Sequence, residues 1–328
     1  MKRVLRAACT FVLSVAFYSR AADIKEFPAS THWLLTVNVN AAQAAPLLQN
    51  LVEKADTNSL KKAQAKLASM KAMCGVDLLK DIDHVVIAGN GDAQKGGVAY
   101  VYGNFDVQRL TAILASTKNY TSSKHDDIAV QCWLDETDNK QKCLAFARPG
   151  LAMLSNTQSA ITDALDVLAG KRPSLAADSP LRDAFTCDEH NLASLYVYDL
   201  SSIVGTSPKA EAFKQAEALS LCVRISDTTR ISANMAITAT SEETALQVQQ
   251  ALSGIQAIIL LRAAESPEAA ALASQAKITC QARTVNVALT LPQKLIEDAM
   301  RAHEMKKAAK RAHKTDTVSP PPDTPANN

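Results

Sequence analysis

The sequence predicts an α+β protein of two tandem repeats, each an antiparallel sheet with helices packed on it, in an order related to the ferredoxin-like, split βαβ motif. Three observations predict it. Ile231, Ala233, Met235, Ile237 and Ala239 alternate with polar residues, the period of a strand with one buried face. Thr240-Ser241-Glu242-Glu243 then reads as a capping box, and Ala245, Val248, Leu252, Ile255 and Ile259 follow at three- and four-residue steps, one apolar helical stripe. Finally, the first half echoes the second: GNFDVQRLTAIL parallels ATSEETALQVQQAL, and LSNTQSAITDAL parallels LTLPQKLIEDAM.

Residues 1–21 read as a secretory signal. Lys2, Arg3 and Arg6 precede the apolar run Ala7–Ser19, and Ser19-Arg20-Ala21 offers small residues for cleavage. The run is short for a bilayer span, and an uncleaved anchor is the rival reading. Cleavage would remove the four cations Lys2, Arg3, Arg6 and Arg20 and no acid, taking the formal charge from +2 to −2. A mature chain of that charge has no overall bias toward nucleic acid.

The first repeat is expected over residues 22–171. Thr31–Asn40 reads as a strand, Gln43–Lys54 and Ser59–Met73 as helices, with Gly75 stopping the second. His84–Ala88 and Val98–Tyr102 read as a hairpin, and Asp106 opens a helix carrying Val107, Leu110, Ile113 and Leu114. Asp127–Leu134 and Gln141–Ala147 read as a second hairpin, and Leu151–Leu154 as a further strand. Ser155-Asn156-Thr157-Gln158 reads as a capping box for a helix ending at Gly170. Residues 172–190, with Pro173 and Pro180, read as a linker.

The second repeat is expected over residues 191–305. Ala193–Leu200 reads as a strand, Lys209–Ala218 as a short helix, and Leu219–Ser226 as the partner of the 231–239 strand. A helix from Ser266-Pro267-Glu268, a hairpin of Lys277–Ala282 with Thr284–Thr290, and a last helix after Thr290-Leu291-Pro292-Gln293 complete it. Residues 306–328 read as a basic helix end and a proline-rich disordered tail.

GVDLLKDIDHVVIAG followed by YGNFDVQRLTAIL resembles a pattern of uncharacterised exported bacterial proteins with tandem α+β repeats. The resemblance implies the repeat architecture and export. It implies no activity and carries over no functional residue.

The chemistry is read mainly by what is missing. Ten glycines leave little material for phosphate-binding loops, and no GxSxG, HExxH, Walker or kinase signature occurs. Asp81-Ile82-Asp83-His84 and His125-Asp126-Asp127 read as solvated approaches to strands rather than metal sites, since neither has a second ligand cluster in sequence. No cofactor, metal or catalytic residue is assigned. The basic run Arg301, Lys306, Lys307, Lys310, Arg311 and Lys314 lacks interleaved aromatics and reads as a solvated helix end, so no nucleic acid is expected. Membrane association is expected only through an uncleaved signal or this basic tail.

Two residue groups stand out. Cys132 and Cys143 face each other if the 135–140 loop closes symmetrically, which predicts a contact and a disulfide. Cys222 is expected to point away from the apolar face and Cys280 toward it. Tyr100, Tyr102, Trp133, Phe146, Tyr196 and Tyr198 are expected on sheet faces turned from the covering helices. That face is expected to be covered by the second half of the chain, or else to be the docking surface for a partner. The function expected is a periplasmic or secreted, non-catalytic binding or scaffold protein of the bacterial envelope, whose partner is a protein or other envelope component. The alternatives are an enzyme with a site at the repeat junction and a carrier of an apolar ligand.

Overall fold

The structure, a computed structural model, describes residues 22–54, 64–65, 67–69, 71–72, 75–77, 79–91, 97–136, 138–176, 178–179, 181, 191–200, 216–302 and 305. It is mixed α+β, with one antiparallel sheet and several helices.

Twelve strands form the sheet: β1 (Trp33–Asn38), β2 (Ile82–Gly89), β3 (Val98–Gly103), β4 (Thr121–His125), β5 (Ile128–Asp135), β6 (Lys140–Arg148), β7 (Leu151–Ser155), β8 (Asn191–Tyr198), β9 (Ala216–Asp227), β10 (Arg230–Ala239), β11 (Lys277–Gln281) and β12 (Thr284–Pro292). Their order is β11-β12-β10-β9-β8-β1-β2-β3-β7-β6-β5-β4. The helices are α1 (Val39–Ala44), α2 (Pro46–Lys54), α3 (Val107–Ala115), α4 (Gln158–Leu168), α5 (Glu242–Leu261) and α6 (Pro267–Ser274), with a 3-10 turn at Ile24–Glu26. Residues 293–302 are helical as well.

The sheet corrects two expectations. The halves do not build separate sheets: β1 and β8 pair antiparallel at the centre, Leu34 opposite Tyr196 and Thr36 opposite Ser194. Pairing two central edges removes two open rows of backbone donors and acceptors, which two separate sheets would leave exposed. The hydroxyls of Thr36 and Ser194 also hydrogen-bond across this seam. The strand order is not that of a split βαβ either. A βαβ unit needs parallel strands, whereas every pairing here is antiparallel and β1, β2 and β3 are consecutive neighbours.

The two faces are filled differently. Directly opposed residues share a face, so Val86, Tyr100, Met153 and Ala145 lie on one side with Cys143 and Cys132. There α4 brings Ile161, Ala164 and Leu165, and the N-terminal segment brings Phe27, into a single buried cluster. The other side carries Trp33, Ile87, Ala99, Leu154 and Leu144, continuous through Val197 and Leu219 with Ile237 and Val285. There α5 seats Ala245 and Val248 on Ile237 and Val285.

Local boundaries follow chain chemistry. Pro46 divides the expected single helix, because the residue before proline is pushed out of the helical region and Ala45 sits at φ −85°, ψ 106°. The caps fall one or two residues later than the expected boxes. Thr157 accepts from the Ala160 amide and Ser241 from the Thr244 amide. The expected helix at Lys209–Ala218 is corrected at its end, where Ala216–Ala218 begin β9; its other residues lie outside the described ones. β4, TSSKH, is an edge strand that polar residues hid from the period-two reading.

Candidate functional site

Cys132 and Cys143 are directly opposed on β5 and β6, their Cα atoms 4.1 Å apart, and are joined by a disulfide. Cys222 donates to the Asn191 side chain on the α4 side of the sheet, and Cys280 packs against the α5 core. Neither is disulfide-bonded.

The six aromatic residues do not form one surface. Tyr100 is fully buried and Tyr102 nearly so, with Tyr196 packed against the same cluster and Tyr198 44% exposed. All four share the α4 side. Trp133 and Phe146 lie on the α5 side, where Phe105 meets Phe146 at 6.1 Å between ring centres. The expectation that the second half covers the tyrosines is corrected. The second half extends the sheet sideways, and the cover is α4 with the N-terminal segment.

That segment is held by a buried polar group the sequence reading missed. Glu26 lies 7% exposed in the 3-10 turn. It accepts from the Tyr102 hydroxyl at 2.6 Å and from Arg148 Nη2 at 2.7 Å. Burial, then the Glu26 charge, pushes the Tyr102 hydroxyl up, so it stays a donor. His84 stacks on the Tyr102 ring, 4.1 Å between centres and 10° between planes. Burial lowers its pKa despite the nearby Asp83 and Glu26 charges. The contacts join residues 26, 84, 102 and 148, a spacing no local motif could signal.

Beside this group a cleft of about 370 Å³ opens between α4 and the sheet. Ala88, Val98, Ala160, Val167, Pro28 and Pro173 give it apolar walls. Polar groups reach it from Ser30, Thr31, Asn90, Ser159 and the Asp163–Arg172 ion pair. Tyr100 lines it too, and the buried Tyr100 hydroxyl has no hydrogen-bond partner among the described residues. Desolvation pushes the Tyr100 pKa upward, which makes this hydroxyl a neutral donor seeking an acceptor. Neither Glu26 nor His84 lines the cleft.

A second hollow, about 490 Å³, lies across the sheet on the α5 side, between Trp33, Ile87, Ala99, Trp133 and Leu154. The Trp33 ring lies flat over Gly89; a β-carbon added there would sit 2.5 Å from it. Glycine is what lets the indole pack on the strand.

The two acidic stretches differ in what they meet. Asp81 accepts from the Asp77 amide and Asp83 from Asn40, while His84 is on Tyr102. His125, Asp126 and Asp166 bring ligand atoms within 4.8 Å of one another. That cluster is already met by Lys171 on Asp126 at 2.5 Å and by Arg172 on Asp166 at 3.6 Å. Of the basic run, Arg301 reaches Asp298 at 4.0 Å, and residues 306–314 lie outside the described ones.

No family model matches the chain, and no curated protein matches it. Among solved structures it is similar to crystal form I of TP0453, with a TM-score of 0.49 and 10% identity over 87% of this chain and 98% of that one.

Proposed function

We propose that this chain is an exported, non-catalytic binding protein of the bacterial envelope, built from two tandem repeats. Its site is the cleft beneath α4, which takes a compact, uncharged apolar molecule with one hydrogen-bond acceptor. The observation that carries this reading is Tyr100, which lines the cleft and whose buried hydroxyl has no hydrogen-bond partner among the described residues. A buried donor without an acceptor costs free energy that a ligand oxygen would recover. The volume suits a small molecule. Charge does not favour an anion, because the one cation lining the cleft, Arg172, is paired with Asp163.

The strand order supports the repeat reading. Outward from the seam, β1-β2-β3-β7-β6 runs in the same sequence of roles as β8-β9-β10-β12-β11, with β5 and β4 added on the first side. The enzyme alternative has less support: the buried carboxylate is engaged by Tyr102 and Arg148, and it lines no described cleft.

The test is titration of the chain beginning at Ala22 with the neutral apolar dye 6-propionyl-2-(dimethylamino)naphthalene, whose ketone oxygen supplies the acceptor. Saturable binding is expected, and Ala160→Phe, which fills the cleft, should abolish it while the unfolding temperature is kept. Dye binding that survives Ala160→Phe, or no binding at all, would overturn the reading.

A further inference from the structure

Helix α5 is seated on the sheet chiefly by its first turns, with Leu252 half-buried against the same core. Thr244, Ala245 and Val248 are buried, whereas Ile255, Ile258 and Leu261 are 54%, 55% and 86% exposed. No charged side chain lies between Glu243 and Arg262. The helix is long and apolar enough to cross a membrane, yet only 11% of its apolar window is buried. That is unlike a core helix, which hides its apolar surface.

The directions of the exposed groups separate the occupants. At 100° per residue, Ile255, Ile258 and Leu261 are neighbours on the helix surface, and the exposed Leu260 lies well to the side of them, so the four fan over more than half of the circumference. A second copy docking through a helix seam would need them in one stripe. Half-buried Gln256 and Ile259 face the protein, and apolar groups exposed over the rest of the circumference fit an apolar medium better than one helix seam. Gln256, on the side of α5 that faces the protein, donates from Nε2 to the carbonyls of Ala273 and Ala276, at 2.7 and 2.9 Å, and so ties α6 to the helix. Arg262 stands exposed immediately after Leu261, where a cation meets lipid phosphates.

We infer that the C-terminal turns of α5 insert into the interfacial layer of a lipid bilayer and hold the protein on the membrane surface. Spanning is not open to them, since Ala245 and Val248 fasten the N-terminal half to the sheet. Immersion to a depth of about 5–10 Å suffices for such an interfacial helix. This anchor is independent of the cleft and of the basic C-terminal segment.

The test is flotation of the chain beginning at Ala22, which keeps every described residue and drops the apolar residues 7–19. Vesicles of phosphatidylcholine alone, and of phosphatidylethanolamine with phosphatidylglycerol, are used at high salt to screen the basic segment. The chain should float with both. Ile258→Asp combined with Leu261→Asp should reduce partitioning by at least about tenfold and leave the unfolding temperature unchanged. Three results would overturn the inference: a chain that stays unbound, a double variant that floats undiminished, and a dimer in buffer that the variant dissociates without any vesicle binding. Binding confined to the anionic vesicles at low salt would do the same.

Discussion

The two sides of the central seam share an order of strands but not a depth of core. Ten of the twelve largest fully buried side chains described precede residue 191, among them Tyr100, Phe27 and Met153; only Ile237 and Val285 follow it. The first half is closed by an 11-residue helix, an N-terminal segment and a disulfide. The second half rests on alanines and valines beneath a helix whose far end lies bare. Strand order therefore does not set how well a half is buried. The two halves bury opposite faces, Tyr100 and Tyr102 on the α4 side of β3 and Ile237 and Ala239 on the α5 side of β10, and the smaller groups make the smaller core. The larger groups leave a cleft around one hydroxyl, and the bare helix end leaves a surface.

Core truncations probe this contrast most strongly. Tyr100→Ala should destabilise by about 3–5 kcal/mol, the cost of deleting a large buried aromatic. Ile237→Ala should cost about 2–3 kcal/mol, at the low end for its type because the small neighbours Ala216, Ala239 and Ala245 can close on the gap. Both should shift one common unfolding transition, because β1 and β8 join the halves edge to edge. Circular dichroism with denaturant measures both values. Two separate transitions, with Ile237→Ala moving only one, would break the picture of one cooperative sheet.

A smaller effect is expected at the N-terminal clamp. Glu26→Gln removes the anion that Arg148 pairs with and weakens the Tyr102 bond. The expected loss is about 2–3 kcal/mol, below that for a fully buried pair because Arg148 is one-third exposed. Glu26→Leu combined with Arg148→Met and Tyr102→Phe should recover part of it, since neither a charge nor the Tyr102 hydroxyl is then stranded. The triple variant proving as unstable as Glu26→Gln would mean that the clamp acts through shape and not through charge.

The elements were legible where periodicity is strong. The 231–239 strand, the seating of Ala245, Val248 and Leu252 of α5 and the Cys132–Cys143 register follow from alternation, helical spacing or symmetric turn closure, whereas Ile255 of the expected α5 stripe lies 54% exposed. What escaped were long-range relations. Nothing local in Thr36 or Ser194 announces that two halves meet edge to edge rather than face to face. Glu26 carries no local mark of its role, because its partners are 76 and 122 positions away. The cover over Tyr100 was assigned to the wrong segment for a related reason. Alternation tells which residues share a face, but not which element of the chain lies on it.

The mildest test uses pH and touches only the first half. His84 is held partly buried against the Tyr102 ring, and desolvation lowers its pKa from the ordinary 6.5 more than Asp83 and Glu26 raise it. The unfolded chain therefore takes up a proton on this residue before the folded chain does. Stability from this source is complete above pH 6.5 and declines as pH falls toward the lower folded value. His84→Gln should flatten that part of the profile. Ring stacking persists in either protonation state, so the effect arises from burying charge and not from losing the contact. Unfolding temperatures of the parent and the variant, measured across the acid side of neutrality, should converge as pH falls. Parallel profiles would show that His84 is solvated in both states and that the Tyr102 side of the clamp is open to water.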